Sequence, residues 1–330
     1  MGRRWGYVAG ALAMVISACT STVAGTALVA SGGGAPSSTP AAVETVAGGL
    51  LGDPVTLDPC SLTDPGEFRA YGAVRWGLLD SLDDCVVDIV TSAGRVATIR
   101  VGALDQVIRY PDLATKPTRE IPGGLKVVEY SSGATSCEQV LVFTDQVTLS
   151  VSASIPEGTE PRLCDMVKAG TARAVKTIQD RGVRHRSFPA GSLGLLDPCV
   201  VVPSQAVGKV PGLRGVAKSG WPAKHSCYWA RSADIQLRVN FIVGEPIIAG
   251  GSDKAVQIDG RPTVIYQTNG KDGHAYCSAQ TDYIPFTEKN QTGLVEATNL
   301  FVRMPGGQMD AACQAAEDAA AVIWPKLPKA

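Results

Sequence analysis

The chain has 330 residues, of which 45% are hydrophobic and 18% are charged. That composition is too apolar for a disordered chain, and the length is enough for two ordinary domains. Thirty basic residues stand against 31 acidic ones, for a formal net charge of -1, so we expect no nucleic-acid partner. The one long apolar segment is N-terminal, which excludes a membrane protein with many spans.

The N-terminus has the plan of a secretion signal. An apolar run at 5–16 follows two arginines, and it is shorter than the roughly 20 residues of a spanning helix. The next residues, Ile16-Ser17-Ala18-Cys19, resemble a bacterial lipobox, in which the cysteine is acylated and becomes the mature N-terminus. We therefore predict a signal peptide at 1–18 and lipidation of Cys19, with the protein anchored on the extracytoplasmic face of the cell membrane. An ordinary signal peptide with an incidental cysteine is the alternative.

A low-complexity segment follows the lipobox. Between Ala30 and Gly52 the chain is rich in Ser, Gly, Pro, Thr and Ala, as in Ser31-Gly32-Gly33-Gly34. Such a segment buries too little apolar surface to offset the entropy of ordering it. We predict a lipidated flexible tether over 19–56, from which the folded part hangs. Two or more acyl chains hold a protein stably on a membrane.

A tetrapeptide and a cysteine spacing occur twice. Leu57-Asp58-Pro59-Cys60 recurs as Leu196-Asp197-Pro198-Cys199, and the next cysteine follows after 25 and 28 residues respectively. We therefore predict a tandem duplication, with one repeat at 57–180, a linker at 181–195 and a second repeat at 196–330. Each repeat is long enough for a core of its own.

The patterns of apolar residues predict the same elements in both repeats. Apolar side chains alternate with polar ones at 97–101 and again at 235–243, which indicates strands with one buried face. Each repeat closes on a segment with helical spacing, at 163–178 and 313–323. The predicted fold class is α+β: two similar repeats, each an antiparallel sheet covered by helices on one face.

Eight cysteines remain after Cys19. Export from the cytosol and the even number of cysteines favour disulfide bonds. If every bond lies within one repeat and both repeats have the same connectivity, three pairings are possible. A metal or redox centre is the alternative, but the chain has no Cys-x-x-Cys and no common zinc spacing, so we predict no metal and no cofactor. We favour pairs of sequence neighbours, two per repeat: Cys60 with Cys85, Cys137 with Cys164, Cys199 with Cys227, and Cys277 with Cys313.

No recognisable set of catalytic residues occurs. The sequence lacks a Gly-x-Ser-x-Gly elbow, a Ser-x-x-Lys motif and a phosphate-binding loop, so we predict that the protein is not an enzyme. The three histidines, His185, His225 and His274, are interpreted as surface or strand-end residues. The pair Asp83-Asp84 is interpreted as a charged turn before a strand.

Two further sets have a structural and a functional interpretation. Trp76 and Trp221 occupy the same interval of the two repeats, where an aromatic ring fills a core or floors a ligand groove; we favour the core. Arg181, Arg184 and Arg186 lie in the linker. We favour a solvated linker over a contact with anionic lipid or glycan.

The lipobox, the tether and the Asp-Pro-Cys opening of each repeat together resemble cell-envelope lipoproteins of mycobacteria and related actinobacteria. The resemblance implies paired cysteines, a short helix after Asp-Pro-Cys and no assigned enzymatic activity. The two copies depart from the usual single-domain plan. We expect a lipid-anchored binding or sensing protein that presents the junction of its repeats to an envelope lipid, glycan or protein. The alternatives are a scaffold subunit of an envelope complex and a hydrolase with an unfamiliar site.

Overall fold

A computed structural model describes residues 46–122, 124–251, 253–270, 272–288 and 291–329. The predicted signal peptide, Cys19 and the tether up to residue 45 lie outside the described residues. The two halves of the remaining chain belong to one compact unit. In the part of the chain that is described, no helix has both the length and the apolar character needed to cross a bilayer.

The first half is an antiparallel sheet of seven strands with a long helix on one face. The strand order is β1-β2-β3-β7-β6-β5-β4, and the last helix packs on β3, β6 and β7. The elements are α1 (Ala47–Leu51), β1 (Gly72–Trp76), β2 (Cys85–Thr91), β3 (Val96–Gln106), β4 (Thr118–Glu120), β5 (Lys126–Ser131), β6 (Ser136–Val142), β7 (Val147–Ser154) and α2 (Leu163–Gln179).

The second half is another antiparallel sheet of seven strands, in the order β8-β9-β10-β14-β13-β12-β11. This is the order of the first sheet, strand for strand. The last helix packs on β12, β13 and β14, one strand nearer to the sheet edge than the corresponding helix of the first half. The elements are α3 (Pro198–Val201), α4 (Ser204–Val207), β8 (Lys218–Gly220), β9 (Ser226–Ala230), β10 (Gln236–Gly244), β11 (Lys254–Ile258), β12 (Arg261–Asn269), β13 (His274–Glu288), β14 (Gln291–Pro305) and α5 (Met309–Ile323).

The protein contains more sheet than the α+β prediction allows for. The edge strands β4 and β8 have three residues each, all exposed, so they carry no alternation of apolar and polar side chains. Strands β13 and β14 have 15 residues each and run well beyond their apolar stretches. Backbone pairing with a neighbouring strand defines these segments, and side-chain periodicity detects only strands with one buried face.

Four disulfide bonds are present, and they join the pairs that the sequence analysis favours. Cys60–Cys85 and Cys199–Cys227 tie the segment after each Asp-Pro to the second strand of its sheet. Cys137–Cys164 and Cys277–Cys313 tie the sixth strand to the closing helix. Each bond therefore has a counterpart at the same place in the other half.

The Asp-Pro-Cys motif has a local structural role. Asp58 begins a 3-10 turn at Pro59–Leu62, and its carboxylate accepts a hydrogen bond of 3.0 Å from the amide of Cys60. Asp197 caps α3 in the same way, at 2.7 Å from the amide of Cys199. Proline is suited to the position after the cap because it has no amide hydrogen to leave unpaired. The motif thus orients each first cysteine toward its sheet.

The folded part begins earlier than the predicted tether boundary at 56. Helix α1 buries Ala47 and Leu51 against the first core, so residues 47–51 belong to the folded part. The two apolar residues are four positions apart and therefore lie on the same side of a helix. The Gly/Ser-rich composition upstream makes this helical spacing hard to recognise in the sequence.

The linker at 181–195 is exposed along much of its length, but its C-terminal end is packed into the protein. Ser192 and Leu193 are fully buried. The buried carboxylate of Glu296 accepts hydrogen bonds from the Ser192 hydroxyl at 2.5 Å and the Leu193 amide at 2.6 Å. Burial raises the pKa of Glu296, and these two donors oppose that effect.

Candidate functional site

A cleft of about 370 Å³ lies where the two halves meet. Its position matches the expectation that the junction of two domains is the first place to seek a ligand. The first half supplies the loop before β2 and the end of β3, and the second half supplies β10 and the segment before β9. The polar and aromatic residues that line it are Asp80, Ser81, Asp83, Asp84, Asp105, Tyr110, Trp221, Ser226, Arg238, Asn240 and Phe241.

The wall of the cleft at 77–84 is held by the second half of the chain. The side-chain amide of Gln291 donates to the Gly77 carbonyl at 2.6 Å and accepts from the Leu79 amide at 3.0 Å. Leu79 and Leu82 are buried in the core of the second half, although they belong to the first half by sequence. The cleft is therefore built on a fixed contact between the halves.

His225 and Asp83 form the deepest polar contact of this wall. His225 is only 2% exposed; its Nδ1 lies 2.5 Å from Asp83 Oδ1 and its Nε2 lies 3.0 Å from the Gly194 carbonyl. Burial acts to lower the pKa of His225, but Asp83 and the Gly194 carbonyl outweigh it and the pKa is raised. Since both ring nitrogens face acceptors, the arrangement favours the protonated ring.

This contact corrects two interpretations from the sequence. His225 lies at a strand end, directly before β9, but it is buried and not at the surface. Asp83 is a partner across the junction as well as part of a charged turn. The other two histidines do lie at the surface or at a strand end. His185 is exposed and its Nδ1 lies 3.0 Å from the Thr56 hydroxyl, and His274 begins β13 beside Asp234.

Two neighbouring carboxylates, Asp80 and Asp84, share one arginine. Arg100 donates to both oxygens of Asp80 at 2.6 Å and to Asp84 at 3.1 Å. Asp84 is buried; burial raises its pKa, and Arg100 acts in the opposite direction. These acidic groups are therefore held in ion pairs, and they shape the cleft more than they offer free charge.

Trp221 lies between charged groups in the mouth of the cleft. The Arg109 and Arg238 guanidiniums lie 4.7 Å and 4.9 Å from the centre of its ring system. Arg109 also donates to the Ser219 hydroxyl at 2.8 Å, which joins the first half to the second. Burial raises the pKa of Asp105, while Arg109 and the Trp221 indole lower it by stabilising the carboxylate.

The position of Trp221 is the second correction of this region. It was expected in a core, as Trp76 is, but it forms part of the cleft.

Arg186 is a third correction. Its side chain is only 7% exposed and donates to the Leu82 carbonyl at 2.8 Å, so it is not a solvated linker residue. Arg181 and Arg184 are exposed.

Arg238 is the free cation of the cleft. Its Nε donates to Asn240 Oδ1 at 2.8 Å, and the residue keeps access to solvent. Within the described residues, no carboxylate forms an ion pair with it. Desolvation lowers the pKa of Arg238 and Asp105 opposes this; a guanidinium stays charged in either case. Its two remaining nitrogens are available to an anionic group.

Sequence reasoning missed Arg238, Arg109 and Asn240. Arg238 and Asn240 occupy the polar positions of the alternating strand β10, where a solvated face is the usual interpretation. A signal that could have found them is the clustering of charged residues at the same end of two strands, β3 and β10. That signal requires knowing that the two strand ends meet.

Comparison with known proteins adds little to this geometry. No family model matches the chain, and no curated protein matches it. Among solved structures, DynU16, a protein of the dynemicin biosynthetic locus, is 11% identical over 82% of this chain and 93% of that one, with a TM-score of 0.14. MucB in complex with MucA(peri) is 10% identical over 77% and 97%, with a TM-score of 0.11. Both scores are too low for either likeness to bear on fold or function.

The cleft has charged and aromatic groups that can contact a polar ligand. In the part of the chain that is described, no group of three or more His, Cys, Asp or Glu side chains is placed to hold a metal ion. The carboxylates are engaged by Arg100, His225 and Trp221, and a cation remains open beside an aromatic ring. This combination can orient a small polar ligand that carries an anionic group.

Proposed function

We propose that the protein is a non-enzymatic, lipid-anchored binding protein of the extracytoplasmic face of the cell membrane. Lipidation at Cys19 provides the anchor, and a tandem duplication of an Asp-Pro-Cys domain provides the two halves. The identical strand order and the equivalently placed disulfides support the duplication. The actinobacterial lipoprotein family that the sequence resembles is the proposed source of both features.

The ligand of the junction cleft is a small polar molecule with a carboxylate or phosphate, of the kind that envelope glycans and lipid headgroups carry. The single observation that supports this is Arg238, a cation without an ion pair in a cleft whose carboxylates each contact another cationic side chain. A guanidinium binds such groups through two parallel hydrogen bonds. Trp221 adds a flat apolar surface beside it.

Binding can be tested with matched anionic and neutral probes. The full chain is titrated with glucuronic acid and with glucose, and with glycerol 3-phosphate and with glycerol. We expect the anionic member of at least one pair to raise the melting temperature, and Arg238→Ala to weaken its binding about tenfold. Arg231→Ala removes an exposed arginine outside the cleft and serves as the control. No response to any probe, or an equal response to both members of each pair, would contradict the proposal.

The anchor has its own test. Cys19→Ala should move the protein from the membrane fraction to a soluble or retained precursor fraction, because the acyl chains have no other attachment point. Fractionation and detergent phase separation measure this. A variant that still required detergent for extraction would overturn the lipid anchor.

A further inference from the structure

Each half carries a groove at the same place in its sheet. The segment after the third strand, 107–117 in the first half and 245–251 in the second, lies over the outer strands of its sheet. The first groove, between Leu113 and strands β4 to β6, has a volume of about 670 Å³. The second groove, between Ile247 and strands β11 to β13, has a volume of about 600 Å³. Both volumes are typical of small-molecule sites.

The floor of the first groove is apolar and its charges are at the rim. Leu113, Val128 and Phe143 are buried beneath it, and Leu113 and Val128 belong to a small cluster separate from the main core. Glu120 and Lys126 at the exposed rim form an ion pair at 3.6 Å. No charge has to be desolvated when an apolar chain fills this floor.

The second groove differs in one respect that decides between the two. The Asp282 carboxylate lines it and accepts a hydrogen bond from the Ile247 amide at 3.0 Å. Its other oxygen is buried and has no hydrogen-bond partner. An acyl chain in this groove would pack against a charged group in the wall, which is a less favourable neighbour for apolar methylenes than the apolar floor of the first groove. The first groove is therefore the better site for an acyl chain.

The chain enters the fold beside the first groove. The Ala47 amide donates to Asp145 Oδ2 at 3.1 Å, and the residues on either side of Asp145, Thr144 and Gln146, line the groove. Val46 follows Cys19 by 27 positions in the sequence. Ile108, in the segment that covers the groove, is 82% exposed. A chain anchored at Cys19 would thus enter the fold beside this groove.

We propose that the first groove binds an acyl chain of a phospholipid from the membrane leaflet that holds the anchor. The inference rests on the proposed lipidation of Cys19. The acyl chain lies along the floor formed by Leu113, Val128 and Phe143, and the headgroup remains at the polar rim. The second groove does not take part, because its carboxylate opposes an apolar occupant.

The test uses the full acylated chain in phosphatidylcholine and phosphatidylglycerol vesicles that contain a phosphatidylcholine with a diazirine at the end of its stearoyl chain. After irradiation, the cross-linked peptides are mapped, and flotation of the same sample measures attachment to the vesicles. We expect cross-links within 107–146. Ala114→Trp, which places an indole in the first groove, should reduce them about tenfold, the effect of excluding two methylene groups.

Matched substitutions separate this site from general proximity to the membrane. Ala249→Trp narrows the second groove and should leave the cross-linking unchanged. Thr118→Trp and Ala255→Trp, at exposed positions on β4 and β11, repeat the comparison if a loop variant fails to fold. Two results would overturn the inference and leave the proposed function intact. The protein could float without cross-links in 107–146, or the two variants of a matched pair could lose cross-linking equally. Failure to float would overturn the anchor and this inference with it.

Discussion

The two halves of the protein share a frame, which consists of the strand order and the two disulfide bonds, and they differ in the loops that they add to it. Both have the strand order 1-2-3-7-6-5-4 and both tie the second and sixth strands with disulfides. The first half, however, extends residues 77–84 into the core of the second, and no equivalent loop of the second half enters the first core among the buried residues described. The difference indicates that the frame provides stability while individual loops create the junction and its cleft.

The largest expected effect tests whether the shared frame contributes equally to both halves. Replacing Cys137 and Cys164 by alanine, or Cys277 and Cys313, should each lower the free energy of unfolding by about 3.5 kcal/mol, since the closed loops are of similar length. Guanidinium denaturation of the oxidised variants measures this. A large loss of unfolding free energy for only one of the two bonds would show that the two halves are not equivalent. Free thiols at these positions in the native protein would show that the bonds do not exist.

A smaller effect should reveal the one-way contact between the halves. Leu82→Ala leaves a cavity in the second core and should cost about 3 kcal/mol. Hydrogen exchange should then speed up more at β10 than at β7, although Leu82 belongs to the first half. Leu62→Ala, which empties a site in the first core, is the matched control and should reverse that pattern. If Leu82→Ala loosened β7 first, the assignment of this loop to the second core would be wrong.

The contact between His225 and Asp83 should make the junction sensitive to pH. The folded pKa of His225 is raised above its unfolded value, so the contact stabilises fully below the unfolded pKa and weakens as pH rises through the folded pKa. Gly194, Arg186 and Glu296 also face this histidine. We expect Asp83→Asn to cost about 1–3 kcal/mol near pH 5.5 and less near pH 8.5.

Urea denaturation at the two pH values measures this dependence. His185→Gln is the control, because the His185 side chain is exposed and contacts the Thr56 hydroxyl, so the change should alter the free energy of unfolding by less than about 0.5 kcal/mol at both pH values. A loss in Asp83→Asn that grew with pH would have the wrong sign for a protonated His225 and would reject the assigned charge state.

The smallest expected effect concerns the two exposed isoleucines over the grooves. Ile108 and Ile248 are 82% and 83% exposed, so serine at either position should change the free energy of unfolding by less than about 0.5 kcal/mol. Thermal denaturation of both variants measures this. A large loss at one position would show that its side chain is packed, and that the segments over the two grooves are not comparable.

The frame was accessible to sequence reasoning because it is local or repeated. The Asp-Pro-Cys motif carries its own cap, and cysteines repeated at similar spacings limit the pairings to a few. The alternating segments of β3 and β10 and the helical spacing of α2 and α5 follow from which face is buried. The short exposed strands β4 and β8 were beyond reach, because only their neighbours define them.

The candidate site depended on contacts between residues far apart in the chain. Asp83 and His225 are 142 positions apart, and Gln291 reaches Gly77 across 214. Trp221 and Arg186 have the same local patterns as core and surface residues elsewhere, so nothing near them in sequence predicts where they lie.

The sequence by itself determined the disulfide-linked frame of each half, since caps, cysteine spacing and side-chain periodicity act over a few residues or repeat along the chain. Only the tertiary structure decided how the halves meet, which charges are neutralised and why Arg238 is left free. The physical reason is that burial and ion pairing at the junction depend on surfaces brought together by packing, and no local pattern specifies the partner of a surface.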